Sequence, residues 1–131
     1  MSAARFMMIP GAPVPVAPFS HAVEVDGWVF LTGQMPTDPD DDRAPLPVGI
    51  EAQTRRVMDN LNLVLHGAGL GLEHVVTARV FLTDFKRDYG PMNEVYRSYF
   101  PWDRLPARTC VGVNGLARDA LVEIDCIARS A

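Results

Sequence analysis

The segment Pro106-Ala107-Arg108-Thr109-Cys110-Val111-Gly112-Val113 reads as a strand with Thr109, Val111 and Val113 on one face. Its other face carries Arg108, Cys110 and Gly112, an odd set for a core. A guanidinium on so apolar a strand must find an anion or reach water, because burying it unpaired is costly. Beyond a polar connection at 114–119 lies a second strand, residues 121–128, in which Val122, Ile124, Cys126 and Ala128 alternate with Leu121, Glu123, Asp125 and Ile127. A simple hairpin would set Arg108 opposite Glu123 and Cys110 opposite Leu121; the alternative is another strand between the two. Either way, one cation and one carboxylate project from neighbouring apolar strands near the end of the chain.

Upstream, residues 6–9 are expected to form a short first strand, after which Pro10, Pro13, Pro15 and Pro18 hold the backbone extended. Residues 20–25 and 28–32 read as strands joined by Asp26-Gly27, a strong hairpin-turn pair. The second ends in Thr32-Gly33-Gln34, where the glycine admits a bulge or a close approach to the backbone. Residues 35–47 read as a surface loop with Asp38 to Asp42 at its tip. These aspartates lack the alternating ligands and terminal glutamate of a calcium loop, so the tip reads as a solvated acidic turn.

From 49 to about 68 the period becomes helical, with Ile50, Val57, Leu61, Val64, Leu65 and Ala68 as the apolar stripe and Gly67, Gly69 and Gly71 as the stop. Residues 75–83 form the next strand, with Val76, Ala78, Val80 and Leu82 on one side. Strand, helix, strand at this spacing argues for a crossover and at least one parallel pair. A second helix is expected from about 89 to 99, with Pro91 in its first turn. An α+β domain follows, with both helices on one face of a mixed sheet. Two helices leave the other face bare, and self-association would cover it.

At 131 residues the chain fits one domain, residues 1–131. Its net charge of -4, with no Lys/Arg run longer than Arg55-Arg56, argues against nucleic acid as a partner. No apolar stretch is long enough to span a bilayer, and the first ten residues are too soon broken by proline for a signal peptide. A cytoplasmic location is expected. Cys110 and Cys126 lack metal-ligand spacing and read as reduced buried thiols, with a disulfide as the alternative. His21, His66 and His74 are scattered and read as surface or locally hydrogen-bonded residues.

Several segments together resemble one family. The run from Ala12 to Ala22 is similar to its opening Pro-Tyr-Ser-Gln-Ala segment, and Thr32-Gly33-Gln34 to its Ser-Gly-Gln turn. Gln53-Thr54 with Asn60-Leu61 resembles the first helix, Asn93 with Tyr96, Tyr99 and Phe100 the second, and Pro106-Ala107-Arg108 with Val122-Glu123-Ile124 the closing signature. The family is the reactive-intermediate deaminases, also called YjgF-like or L-PSP endoribonuclease-like proteins. The resemblance implies a chorismate-mutase-like fold, a homotrimer with clefts between subunits, and hydrolysis of enamines and imines derived from amino acids to 2-oxo acids and ammonia. It further implies that Arg108 binds the substrate carboxylate, that Glu123 acts with a water, that backbone at Gly33 and Cys110 holds the ligand, and that Asn93 lines the site. Phe19 stands where the family usually has tyrosine, Ala17 replaces a common glycine, and His21 replaces glutamine.

The residue types suit that chemistry. The planar fork of Arg108 can grip a carboxylate through two parallel bonds, and Glu123 can take a proton from water attacking the imine carbon. No metal or organic cofactor is expected. Other readings stand beside this one. Arg108 and Glu123 could form a structural ion pair, Cys110 could be only a small strand hydrophobe, Thr32 could cap a strand end or touch ligand, and Asn93 could bond backbone. At the level of the whole chain, the alternatives are a non-catalytic module that binds small carboxylates or protects partner proteins, and an endoribonuclease or translation inhibitor.

Overall fold

Asp26 and Gly27 take positive φ angles of 52° and 83°. This left-handed pair matches the twist of a tight hairpin, and it joins β2 (Ala22–Val25) to β3 (Trp28–Gln34) in antiparallel register. β1 (Arg5–Met7) extends the sheet beyond β2. The computed structural model describes residues 3–130; the remaining elements are α1 (Ile50–Gly67), β4 (Val75–Leu82), α2 (Phe85–Arg97), β5 (Ala107–Gly112) and β6 (Val122–Arg129). All six strands form one mixed sheet in the order β1-β2-β3-β6-β4-β5.

The expected parallel pair is β4 with β5, joined through α2. β6 inserts between β3 and β4, antiparallel to both. The simple β5–β6 hairpin is therefore overturned in favour of the intervening-strand alternative. The connection after β5 stays at the end of β4, where Val113 N donates to Leu82 O at 2.8 Å and Thr83 N donates to Leu121 O at 3.1 Å.

One sheet face is buried. Val29 and Leu31 of β3, Val122, Ile124, Cys126 and Ala128 of β6, and Ala78, Val80 and Leu82 of β4 meet Val57, Met58, Leu61, Val64 and Leu65 of α1 and Met92 and Tyr96 of α2. Each Val, Leu, Ile and Met among them contributes about 1.5–3 kcal/mol on burial. The α1 stop closes with Gly69 N donating to His66 O and Leu70 N to Leu65 O, the paired bonds of a Schellman turn.

Two local expectations are corrected, and for His21 the hydrogen-bonded alternative is the one that holds. Val75 pairs with Ala128 and Thr77 with Ile127, so Val76 is an extra residue at a bulge and is exposed rather than inward-facing. α2 begins earlier than its aromatic residues suggest, because Asp84 caps it by accepting a bond from Arg87 N. Pro91 consequently lies mid-helix, and the carbonyl it leaves without a donor, that of Arg87, belongs to an exposed residue. His21 is buried: its Nδ1 accepts from Ile9 N at 2.7 Å, while its Nε2 lies 2.7 Å from Pro13 O. This ring clips the proline-rich arm to the sheet.

The loop at 35–47 starts inside the protein. Asn60 Nδ2 donates to Met35 O and Thr37 O at 2.9 and 2.8 Å, drawing that end under α1. Its acidic tip lies at the surface, and Arg118 donates to Asp42 O and Ala44 O from the β5–β6 connection.

The opposite sheet face carries no helix. Phe6, Val23, Phe30, Ile127 and Thr77 follow one another across β1, β2, β3, β6 and β4 in direct register. Phe6 is 72% exposed and Phe30 44%. Apart from Thr77 this row is apolar, on a face that no helix among the described residues covers.

Candidate active site

β5 and α2 build the first wall. Arg108 pairs with Ala78 in the parallel ladder, and Ala78 pairs with Cys126, so Arg108 points to the helix-covered face. There its Cζ lies 4.9 Å from the centre of the Tyr96 ring and 5.8 Å from that of Tyr89. Its Nη2 donates to the Tyr89 hydroxyl at 3.5 Å, a long bond. None of the ion pairs among the described residues includes Arg108. The cation is braced by aromatic faces, and its forked edge has no carboxylate on it.

A cavity of about 610 Å³ opens beside it, lined by Asn93, Tyr96, Arg97, Leu105 and Pro106 among others. Two of its lining residues hold buried polar atoms without a hydrogen-bond partner, Asn93 Oδ1 and the Tyr96 hydroxyl. Such atoms are rare in folded proteins and call for an explanation. Burial pushes the Tyr96 phenol up to about 12 against the opposing pull of Arg108, so it is neutral and a donor at ordinary pH. Burial also raises the Cys110 thiol, and Arg108 only partly offsets this. The Cys126 thiol is pushed up to about 12, chiefly by burial. Both cysteines are free, and neither has the lowered pKa of a nucleophile.

The second wall lies on the uncovered face. Glu123 pairs with Phe81, and Phe81 with Val111, so its carboxylate points away from the helices. The β3–β6 register slips between Leu31 and Gln34, which is the bulge expected at Thr32-Gly33. Gly33 sits under Glu123, and a Cβ there would collide with the Glu123 carboxylate. With glycine there, the carboxylate keeps this position without having to shift. Burial, and secondarily the charge of Asp125, raises the Glu123 carboxyl above its ordinary range. Asp125 is itself gripped by Arg79, whose Nε and Nη2 donate to its two oxygens at 3.0 and 2.6 Å. Phe19, Ser20, Thr32 and Gly33 line a depression of about 420 Å³ together with Arg79 and Asp125.

The residues singled out in the sequence thus fall into two groups. Arg108, Asn93 and Cys110 belong to the helix side; Phe19, Thr32, Gly33 and Glu123 belong to the bare side. Within one chain Arg108 and Glu123 cannot form the structural ion pair considered above, because they project from opposite faces. Two contributors went unread: Tyr89, masked by the misplaced start of α2, and the Arg79–Asp125 pair, whose partners are 46 residues apart.

A mixed six-stranded sheet with both helices on one face places the chain in the α+β class. The chain belongs to the endoribonuclease L-PSP family, whose model matches residues 10–130. It is 42% identical to a RutC family protein of Synechocystis over 117 residues, 89% of each chain. Over 124 residues it is 45% identical to protein DfrA of Myxococcus xanthus, covering 91% of this chain and 90% of that one. Among solved structures it superposes on a Rid family protein of unknown function from Yersinia pestis with a TM-score of 0.90 at 34% identity, covering 98% and 100% of the two chains. E. coli TdcF, solved with bound serine, gives a TM-score of 0.86 at 30% identity over 95% and 99%.

Proposed function

We propose that this chain hydrolyses small 2-imino and enamine acids derived from amino acids, of the 2-aminoacrylate or 2-iminobutyrate type, to 2-oxo acids and ammonia. The observation that carries the reading is the unpaired Arg108 guanidinium beside a cavity holding the unpartnered Asn93 Oδ1 and Tyr96 hydroxyl. A carboxylate satisfies the guanidinium through two parallel bonds. An adjacent N–H satisfies Asn93 Oδ1, the kind of acceptor a protonated imine seeks. The solved relative TdcF holds serine, a small amino acid.

Because Arg108 and Glu123 lie on opposite faces, one ligand meets both only if a second copy brings its bare face to the first. This favours a homotrimer in which each cleft joins Arg108, Asn93 and the Cys110 backbone of one chain to Phe19, Thr32, Gly33 and Glu123 of the next. The apolar row through Phe6 and Phe30 would be covered in the same step.

In such a cleft an enamine first takes a proton from solvent on its β-carbon, giving the iminium. Water adds to the iminium carbon while its proton passes to the Glu123 carboxylate, a contribution of about 10²–10⁴-fold. That proton then returns to the carbinolamine nitrogen, and ammonia leaves as the hydroxyl proton passes to the Glu123 carboxylate, giving the 2-oxo acid. Each step needs only proton transfers and positioning, and no cofactor enters.

The test generates 2-iminobutyrate in situ and follows 2-oxobutyrate release. Wild type is expected to accelerate release and Arg108→Ala to lose the acceleration; equal rates refute the mechanism. A second reading, a carboxylate-binding module without catalysis, is favoured by the same unpartnered atoms and predicts Arg108-dependent binding with no acceleration. Ribonuclease action, carried in the family's name, fits poorly with a chain of net charge -4.

A further inference from the structure

Phe85, Tyr89, Asn93 and Tyr96 recur three or four residues apart on the face of α2 turned toward β5. The Phe85 and Tyr89 rings stack with centroids 4.6 Å apart and planes 24° apart. Phe85 in turn rests over Gly112, where an added Cβ would come within 3.2 Å of its own Cβ. This stack sets the Tyr89 ring so that its hydroxyl oxygen meets Arg108 Nη2. The oxygen accepts from the guanidinium and keeps its own proton to donate. At 3.5 Å the bond is loose, and Tyr89 is 38% exposed. Hydrogen bonds in series reinforce one another, so a guanidinium-bound phenol is the stronger donor for it. On the bare face the aromatic residues lining the depression beside Gly33 are Phe6, Phe19 and Phe30, rings with no donor.

Resting on the function proposed above, we infer that Tyr89 is a substrate-binding residue, whose hydroxyl donates to the substrate carboxylate alongside Arg108 and supplies the phenol that position 19 lacks. The guanidinium and the hydroxyl form one composite anion site. It takes a carboxylate in preference to its amide or ester, because only the ionised group accepts from both donors at full strength.

Tyr89→Phe keeps the stacked ring and removes only the hydroxyl. Steady-state hydrolysis of 2-iminobutyrate and binding of its product 2-oxobutyrate, followed by NMR titration, are measured for wild type, Tyr89→Phe, Arg108→Ala and the double variant Tyr89→Phe/Phe19→Tyr. Tyr89→Phe is expected to raise KM and weaken product binding by about tenfold, the usual effect of removing one donor to a charged group, with kcat little changed. The double variant is expected to recover part of that loss by donating from the other wall. Unchanged KM and product binding in Tyr89→Phe, with Arg108→Ala strongly impaired, overturn this role and leave the deaminase reading intact. If Arg108→Ala is also unimpaired in both assays, the deaminase reading falls and the Tyr89 role falls with it.

Discussion

Arg108 and Glu123 project from opposite faces of one sheet, with β4 lying between their strands: Arg108 pairs across to Ala78, Glu123 to Phe81. Were both needed for catalysis, neither could serve the other within a single chain. Mixing Arg108→Ala with Glu123→Gln, each inactive alone, should therefore restore activity when subunits exchange. In a trimer with clefts between chains, roughly a quarter of the sites would be intact. Persistent inactivity after verified exchange would place both residues outside a shared cleft.

Glu123 acts as an ionised base in the proposed step, and burial raises its carboxyl above the ordinary range. Activity is then lost as pH falls through that raised value. Arg79→Ala frees the Asp125 charge beside Glu123 and should move this acid limb to higher pH; Asp125→Asn should move it lower. A pH–rate profile that ignores both changes counts against Glu123 as the base.

The same shift bears on stability. A carboxyl whose folded value is raised adds stability that is full below its unfolded value and is lost as pH rises through the folded one. At neutral pH the ionised Glu123 is a cost of the site. Glu123→Gln should raise the melting temperature at pH 7 and flatten its fall between mildly acidic and neutral pH.

Phe30, 44% exposed, stands mid-row on the bare face. If copies pack through this face as proposed, Phe30→Glu should yield monomers in sedimentation velocity and abolish activity with it, since a charge there cannot be buried unpaired. An active monomer would refute the shared cleft.

Asn60 is fully buried and donates to two loop carbonyls. Asn60→Leu leaves both carbonyls buried and unmet, at about 1–3 kcal/mol each. Denaturant unfolding should show a loss of that order.

Strand alternation made the buried faces of β4 and β6 legible, since Val, Ile and Leu at every second position have one place to go. The Asp26-Gly27 turn and the Thr32-Gly33 bulge were equally plain, because each rests on glycine chemistry confined to a few residues. What the sequence hid was long-range. Nothing local tells that β6 slips between β3 and β4, and so nothing told that Arg108 and Glu123 face apart. The helical stretch at 85–88, Phe-Lys-Arg-Asp, has no apolar period of its own, so α2 was read from Tyr89 and the Phe85–Tyr89 stack was lost. For His21 the choice between a surface and a locally hydrogen-bonded role stayed open, because its partners, Ile9 and Pro13, bond through backbone atoms that leave no trace in composition.

That histidine ties remote parts of the chain into a single strut. Ile9, held by His21 at one end of the arm, packs on the last residue of α1, where a methyl on Gly67 would collide with it. Phe19 stands at the arm's other end, in the depression beside Gly33. The arm's placement on the sheet thus depends on the close fit of Ile9 to the foot of α1, so a side chain at Gly67 would have to displace the arm's anchor.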